Sequence, residues 1–162
     1  VTNWRVISSF PSYEVSDAGE VRNVYTERIL QTKVNKEGVI FVGLMKDGTQ
    51  HQRGLALLVA QEFLPRKANF DTPINLNGDR TDNAVENLMW RPRWHAVAYV
   101  KQFSDPFPNP ITDPIRDKES RKTYAGSWDC AMANGLLEKD VVLSILNRTY
   151  SWPTYQEFEV VG

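Results

Sequence analysis

The chain has 162 residues, 41% of them apolar, and a formal net charge of −1. That length suits one ordinary domain or two or three small modules, and no apolar run reaches the ~18–20 residues needed to cross a bilayer. A single cysteine, Cys130, excludes an internal disulfide and a thiolate zinc cluster, and the two histidines, His51 and His95, leave little for a multi-histidine metal centre. The first residues, VTNWRVISSF, lack the basic segment, apolar stretch and cleavage site of a secretory signal, so an intracellular chain is expected. Cys130, on an apolar stretch, is expected to be a buried small hydrophobe.

Charge is unevenly spread. Thirteen basic and eleven acidic residues lie up to Ser104, a balance of +2, which leaves −3 for the remainder. Non-specific DNA affinity comes from neutralising phosphates, so the acidic C-terminal part is the poorer candidate for it.

The elements follow in chain order. WRVISSF, with β-branched and aromatic residues, reads as a strand, and YEVSDAGEVRN as two short runs around a turn at Asp17-Ala18-Gly19. GVIFVGLMKDGTQHQRG is a stronger hairpin, because Asp47-Gly48 supplies the positive φ angles of a tight turn. GLALLVAQEF changes to helical spacing through Leu55, Leu58, Val59 and Phe63, and Pro65 ends it. RPRWHAVAYVKQF reads as a helix entered through Pro92. SDPFPNPITDP, 104–114, carries prolines at 106, 108, 110 and 114 and reads as a semi-rigid linker or extended arm. Beyond it come a strand in PIRDKESRKTY, helices in SWDCAMANG and EKDVVLSILNR, and a last strand in EFEVV. Two short helices joined at Gly135 resemble a helix-turn-helix, a pairing more often used for packing than for DNA reading.

Two stretches carry a resemblance to a known family. NWRVISSFPSYEVSDAGEVRN is similar to the N-terminal module of phage HNH homing endonucleases, through Trp4, Ile7, Tyr13, Val15, Ser16, Gly19, Val21 and Arg22. LLVAQEF followed by PINLNGDRTDNAVENLMW resembles the nuclease core, through Leu58, Val59, Ala60, Phe63, Gly78, Asn83, Asn87, Leu88 and Trp90. The resemblance implies an α+β chain: a β-rich module at 1–54, a ββα-metal core at 55–103, the linker, and a helix-turn-helix-like module at 115–162. It implies a tailed-phage source, a location in the host cytoplasm or the virion, and no membrane.

In that family a histidine acts as general base on water and a divalent cation stabilises the charge on the phosphate. Carried over residue by residue, the base position is Asn75. The preceding position, an oxygen ligand in some relatives, is Ile74. The next family acid is Asn77, the earlier histidine is Ala56, and the helix ligand is Ala96. The structural loop is kept in Gly78, Asn83, Asn87 and Trp90. The expectation is therefore no catalytic residue, no bound metal and no cofactor; a divalent cation enters only if the site has moved. His95 adjoins the ligand position but points elsewhere on a helix, and His51 reads as a surface residue. Asn77, Asp79, Asp82 and Asn83 read as a polar loop built on Asx turns.

Arg80, Arg91, Arg93, Lys101, Lys139 and Arg148 are the candidates for DNA contact. For Arg91 and Arg93, phosphate clamping and simple solvation weigh evenly. Trp90, Val141, Val142, Ile145 and Leu146 are expected in the core, as is most of the Tyr150, Trp152, Tyr155 cluster. Glu138 and Asp140 suit a helix N-terminus but repel phosphate. The first reading is duplex DNA binding without cleavage. The alternative is a protein-interaction or virion role with a phage or host protein as partner, and the third is an active metal-dependent endonuclease with a relocated site.

Overall fold

A computed structural model describes residues 2–162. The chain divides into two compact units, 1–93 and 94–162.

The N-terminal unit begins with β1 (Trp4–Ile7), β2 (Phe10–Ser16) and β3 (Val21–Asn23), an antiparallel sheet in that order. A second sheet follows from β4 (Lys33–Val34), β5 (Ile40–Lys46) and β6 (Thr49–Gly54). In β5, Ile40, Val42 and Leu44 are buried while Phe41 and Gly43 are half-buried, the period-two pattern of a strand covered on one face. Asp47 (φ 53°) and Gly48 (φ 76°) turn the β5–β6 hairpin with two positive φ angles, as Asp-Gly predicts.

Helix α1 (Leu55–Phe63) packs against both sheets and against the hairpin of β7 (Thr72–Asn75) and β8 (Leu88–Arg91). Its Leu55, Leu58 and Val59 share one buried cluster with Ile7, Val15, Val42 and Leu88. The boundary expected after residue 54 therefore falls inside a single core. Two further ties cross it. The Tyr13 hydroxyl accepts from the Met45 N–H at 3.1 Å, joining the sheets. The Val85 N–H donates to the Asp17 carbonyl at 2.8 Å, joining the first turn to the β7–β8 loop.

The C-terminal unit takes in all but the first residue of α2 (Arg93–Lys101). Its sheet has the order β10 (Thr123–Tyr124), β9 (Ile115–Asp117), β11 (Phe158–Val160). The stretch read as one strand is thus a hairpin. Asp117 makes the turn, accepting from the Glu119 and Ser120 N–H groups at 2.8 and 3.2 Å. Helices α3 (Ser127–Asn134) and α4 (Glu138–Leu146) are joined through Gly135, which adopts the left-handed conformation (φ 65°) that ends α3. Ile115, Cys130, Ala131, Leu136, Val141 and Phe158 form the core. Burial pushes the Cys130 thiol up to about 12, which leaves it a small apolar group rather than a nucleophile.

Residues 104–114 are irregular, but they are not a free spacer. Ile111 packs against the C-terminal core and exchanges two hydrogen bonds with Ser127: its N–H donates to the hydroxyl at 2.9 Å, and its carbonyl accepts from the Ser127 N–H at 2.8 Å. Val141 and Val142 are buried and Ile145 is partly so, whereas Leu146, the last residue of α4, is 68% exposed. Tyr150 and Tyr155 are also exposed rather than packed under the last strand.

Gly19 (φ 88°) would place a Cβ 3.0 Å from the Asn83 carbonyl oxygen. Gly19→Ala should lower stability by about 1–2 kcal/mol, the cost of a left-handed L-residue, read from urea unfolding. The Asp117 carboxyl is opposed by burial, but bonds from Gln156, Glu119 and Ser120 hold it below its usual range. A depressed pKa stabilises the fold above the unfolded value and loses that contribution as pH falls through the folded one. Asp117→Asn should therefore flatten the acid limb of a stability–pH curve below about pH 4.

Candidate functional site

The β7–β8 hairpin sets Asn75 opposite Leu88 and Thr72 opposite Arg91. Its connection, 76–87, closes in a single 3-10 turn at Val85–Asn87. Gly78 takes a φ of 78°, and its N–H donates to the Asn75 carbonyl at 2.9 Å. Side-chain amides then hold the loop in place of a backbone ladder. Asn87 donates from Nδ2 to the Asp82 carbonyl at 2.8 Å and to Asn77 Oδ1 at 2.9 Å, while its Oδ1 accepts from the Asn77 N–H at 3.1 Å. Asn83, 4% exposed, donates to the Arg80 carbonyl at 3.1 Å. Asp79 accepts from the Thr81 hydroxyl and N–H, which hold its carboxyl below the usual range.

Asn75 is part of this network. Its Nδ2 donates to the Asp82 carbonyl at 2.8 Å and to Asn83 Oδ1 at 2.9 Å. Both amide hydrogens are thereby committed, and an amide nitrogen has no basic lone pair to take a proton from water. Beside it Ile74 is buried with no side-chain oxygen, and Asn77 Oδ1 is engaged by Asn87 and by the Asp79 N–H. Ala56 packs partly buried against the core of the first unit. In the second unit Ala96 is buried and offers a methyl group. These residues do not fit a catalytic cation, and among the described residues no three His, Cys, Asp or Glu side chains gather as a metal site.

Both histidines take part in packing within their units. His95 is fully buried, and its Nε2 donates to the Gly135 carbonyl at 2.9 Å, tying α2 to the turn after α3. His51 lies in β6 with its ring against Phe10, 5.6 Å between centroids.

The basic candidates divide. Arg91 meets neither of the two evenly weighed readings, phosphate clamp or solvated charge: it is 5% exposed, donates to the Trp90 carbonyl at 2.7 Å and lies over the Phe70 ring. Trp90 is buried, with its indole N–H on the Leu64 carbonyl at 3.1 Å. Arg80 is half-buried and donates to the Glu37 carbonyl at 2.8 Å, leaving part of its guanidinium outward. Arg93, Lys101, Lys139 and Arg148 are exposed. Glu138 is not a surface charge opposing phosphate; it is buried and accepts from the Ser127 hydroxyl at 2.8 Å.

One surface escaped the sequence reading. On the outer side of β5–β6, Gly43 stands opposite Gln52, and Met45 opposite Gln50. A Cβ on Gly43 would lie 2.6 Å from the Gln50 amide, so the missing side chain lets Gln50 lie across the strand, and Gln52 donates to Gln50 at 3.0 Å. Lys33 is exposed on the adjoining β4. The alternation of amides along QHQ was the available signal.

Residues 3–44 match the NUMOD4 motif family. Over 90 residues the chain is 30% identical to an uncharacterized HNH endonuclease of Acanthamoeba polyphaga mimivirus, covering 56% of this chain and 27% of that protein. A second uncharacterized HNH endonuclease of the same virus is 38% identical over 87 residues, covering 52% and 22%. The chain thus spans about a quarter of the length of these curated relatives. The fold is similar to that of the HNH homing endonuclease I-HmuI, solved in a study of DNA binding and cleavage, with a TM-score of 0.56, 20% identity and 98% of each chain covered. The chain is similar to HNH endonucleases in sequence and to an HNH homing endonuclease in fold. Asn83 and Asn87, assigned to the loop from the sequence, bond within it.

Asn87→Ala would strip three part-buried hydrogen bonds from the loop. It should cost about 2–3 kcal/mol in urea or thermal unfolding, more than one surface contact is worth.

Proposed function

We propose that the chain binds duplex DNA and does not cut it. The observation that carries the reading is Asn75, whose amide hydrogens are spent on the loop where the family places its base. Without a base, a proton acceptor for attacking water is lacking. The exposed cations support the binding half. Arg93, Lys101, Lys139 and Arg148 are free to meet phosphates, which position a protein without specifying sequence. Gln50 and Gln52 on the β5–β6 hairpin have the group that pairs with an adenine edge in the major groove. The overall charge of −1 keeps affinity dependent on these few contacts.

Supercoiled plasmid should stay intact with the purified chain in Mg²⁺ or Mn²⁺; nicking that survives repurification would refute the inactive half. Asn75→His alone should not restore cutting, since Ala56 and Ala96 remain. In gel shifts with duplex DNA, four phosphate contacts would cost on the order of a hundredfold in affinity between 50 and 200 mM salt. Arg93→Gln or Lys101→Gln should reduce the salt slope by about 0.9. Arg91→Gln should lower stability and leave that slope unchanged. Duplex binding absent at low salt would sink the binding half.

A further inference from the structure

In the C-terminal unit the start of α2, the outer side of α4 and the segment after α4 surround an open groove of about 510 Å³. Trp94, Lys139, Asn147, Thr149, Tyr150 and Trp152 are among its lining residues. Trp94 stacks on Trp152, with centroids 4.0 Å apart and planes 23° from parallel. It is still 59% exposed. With one ring face covered, that exposure belongs largely to the other face. Tyr150, also exposed, leans on an exposed Tyr155 with centroids 4.9 Å apart.

The groove does not end there. A second hollow of about 300 Å³ shares Ala98, Leu137 and Lys139 with it and runs on to Lys101 and Phe107. Ring surfaces therefore stand at both ends of a track that has lysines along it. Among the described residues no ion pair engages Lys101, Lys139 or Arg148. Asp140 is the one acid lining the larger hollow; burial pushes its carboxyl up and the nearby Lys139 opposes the rise.

We infer that this track binds a single-stranded DNA segment, with an unpaired base on the open face of Trp94 and its phosphates along Lys139 and Lys101. Aromatic faces and a cationic groove are the two components that sequence-tolerant single-strand binding needs. Asn147 and Thr149 supply hydrogen-bonding groups for base edges. A duplex cannot use the site in this way, because both faces of each paired base are already stacked. The inference shares Lys101 and Lys139 with the duplex proposal and differs from it in depending on the rings of the groove. Val97, Leu143 and Leu146 are exposed on the same helices and make a protein partner the rival occupant.

The test is fluorescence anisotropy of the full chain with a labelled oligothymidylate of about ten nucleotides, within the usual site size. Saturable binding at low salt is expected. Trp94→Ala should weaken it roughly five- to a hundredfold, the usual loss for one stacked base. Trp94→Phe should retain most of it, and duplex affinity should be the same in all three proteins. If circular dichroism shows Trp94→Ala misfolded, Tyr150→Ala reads the same groove. Absence of saturable binding, or equal affinity in the Trp94→Ala and wild-type chains, overturns the inference. So does a sedimenting dimer that Trp94→Ala converts to monomer, which would give the groove to a second copy. Duplex binding lost with oligonucleotide binding kept sinks only the proposal of the preceding section, and the reverse sinks only this one.

Discussion

The backbone carbonyl of Asp82 must be satisfied inside a loop that no strand accompanies. It accepts from Asn75 and from Asn87, both at 2.8 Å. Each amide ties one strand end to that single carbonyl, and a half-buried carbonyl left unmatched would cost about as much as a lost hydrogen bond. The loop's ends fix the register of β7 against β8, and β8 delivers Leu88 to the core and Trp90 to the Leu64 carbonyl. The placement of Asn75, Asn77 and Asn87 follows from that arrangement.

Under the proposed function, Asn75 is a loop residue and not a base. A histidine base has to keep one ring nitrogen free for water. An asparagine at the same place can give both of its hydrogens to the loop. Both hydrogens of Asn75 serve the loop, and under the proposed function no proton acceptor stands there. Ala56 and Ala96 add no such bonds, and they are consistent with positions that pack rather than react.

Local order was largely legible in the residues. Asp47-Gly48 gave its hairpin through φ angles that few other pairs tolerate, and the period change at Leu55 gave α1. Asn83 and Asn87 could be assigned to the loop because their side chains are short enough to bond nearby backbone. What could not be read was burial that depends on distant partners. Arg91 looks like a solvent charge until Phe70 is brought beneath it, and Glu138 looks like a repelling one until Ser127 meets it. His95 was located on its helix by periodicity, but its carbonyl partner lies forty residues away in sequence. Prolines at 106, 108, 110 and 114 correctly exclude regular structure, yet nothing local marks Ile111 as an anchor.

The contact between Gly19 and the Asn83 carbonyl has a consequence for how such chains can be reassembled by recombination. The first turn and the β7–β8 loop are shaped to each other, and the Asp17 carbonyl bonds Val85 at the same place. A front segment exchanged at the edge of its recognisable motif would meet a loop matched to another turn. Shuffling of this module is therefore restricted to donors that carry a glycine at the turn, or to crossovers that move the turn and the loop together.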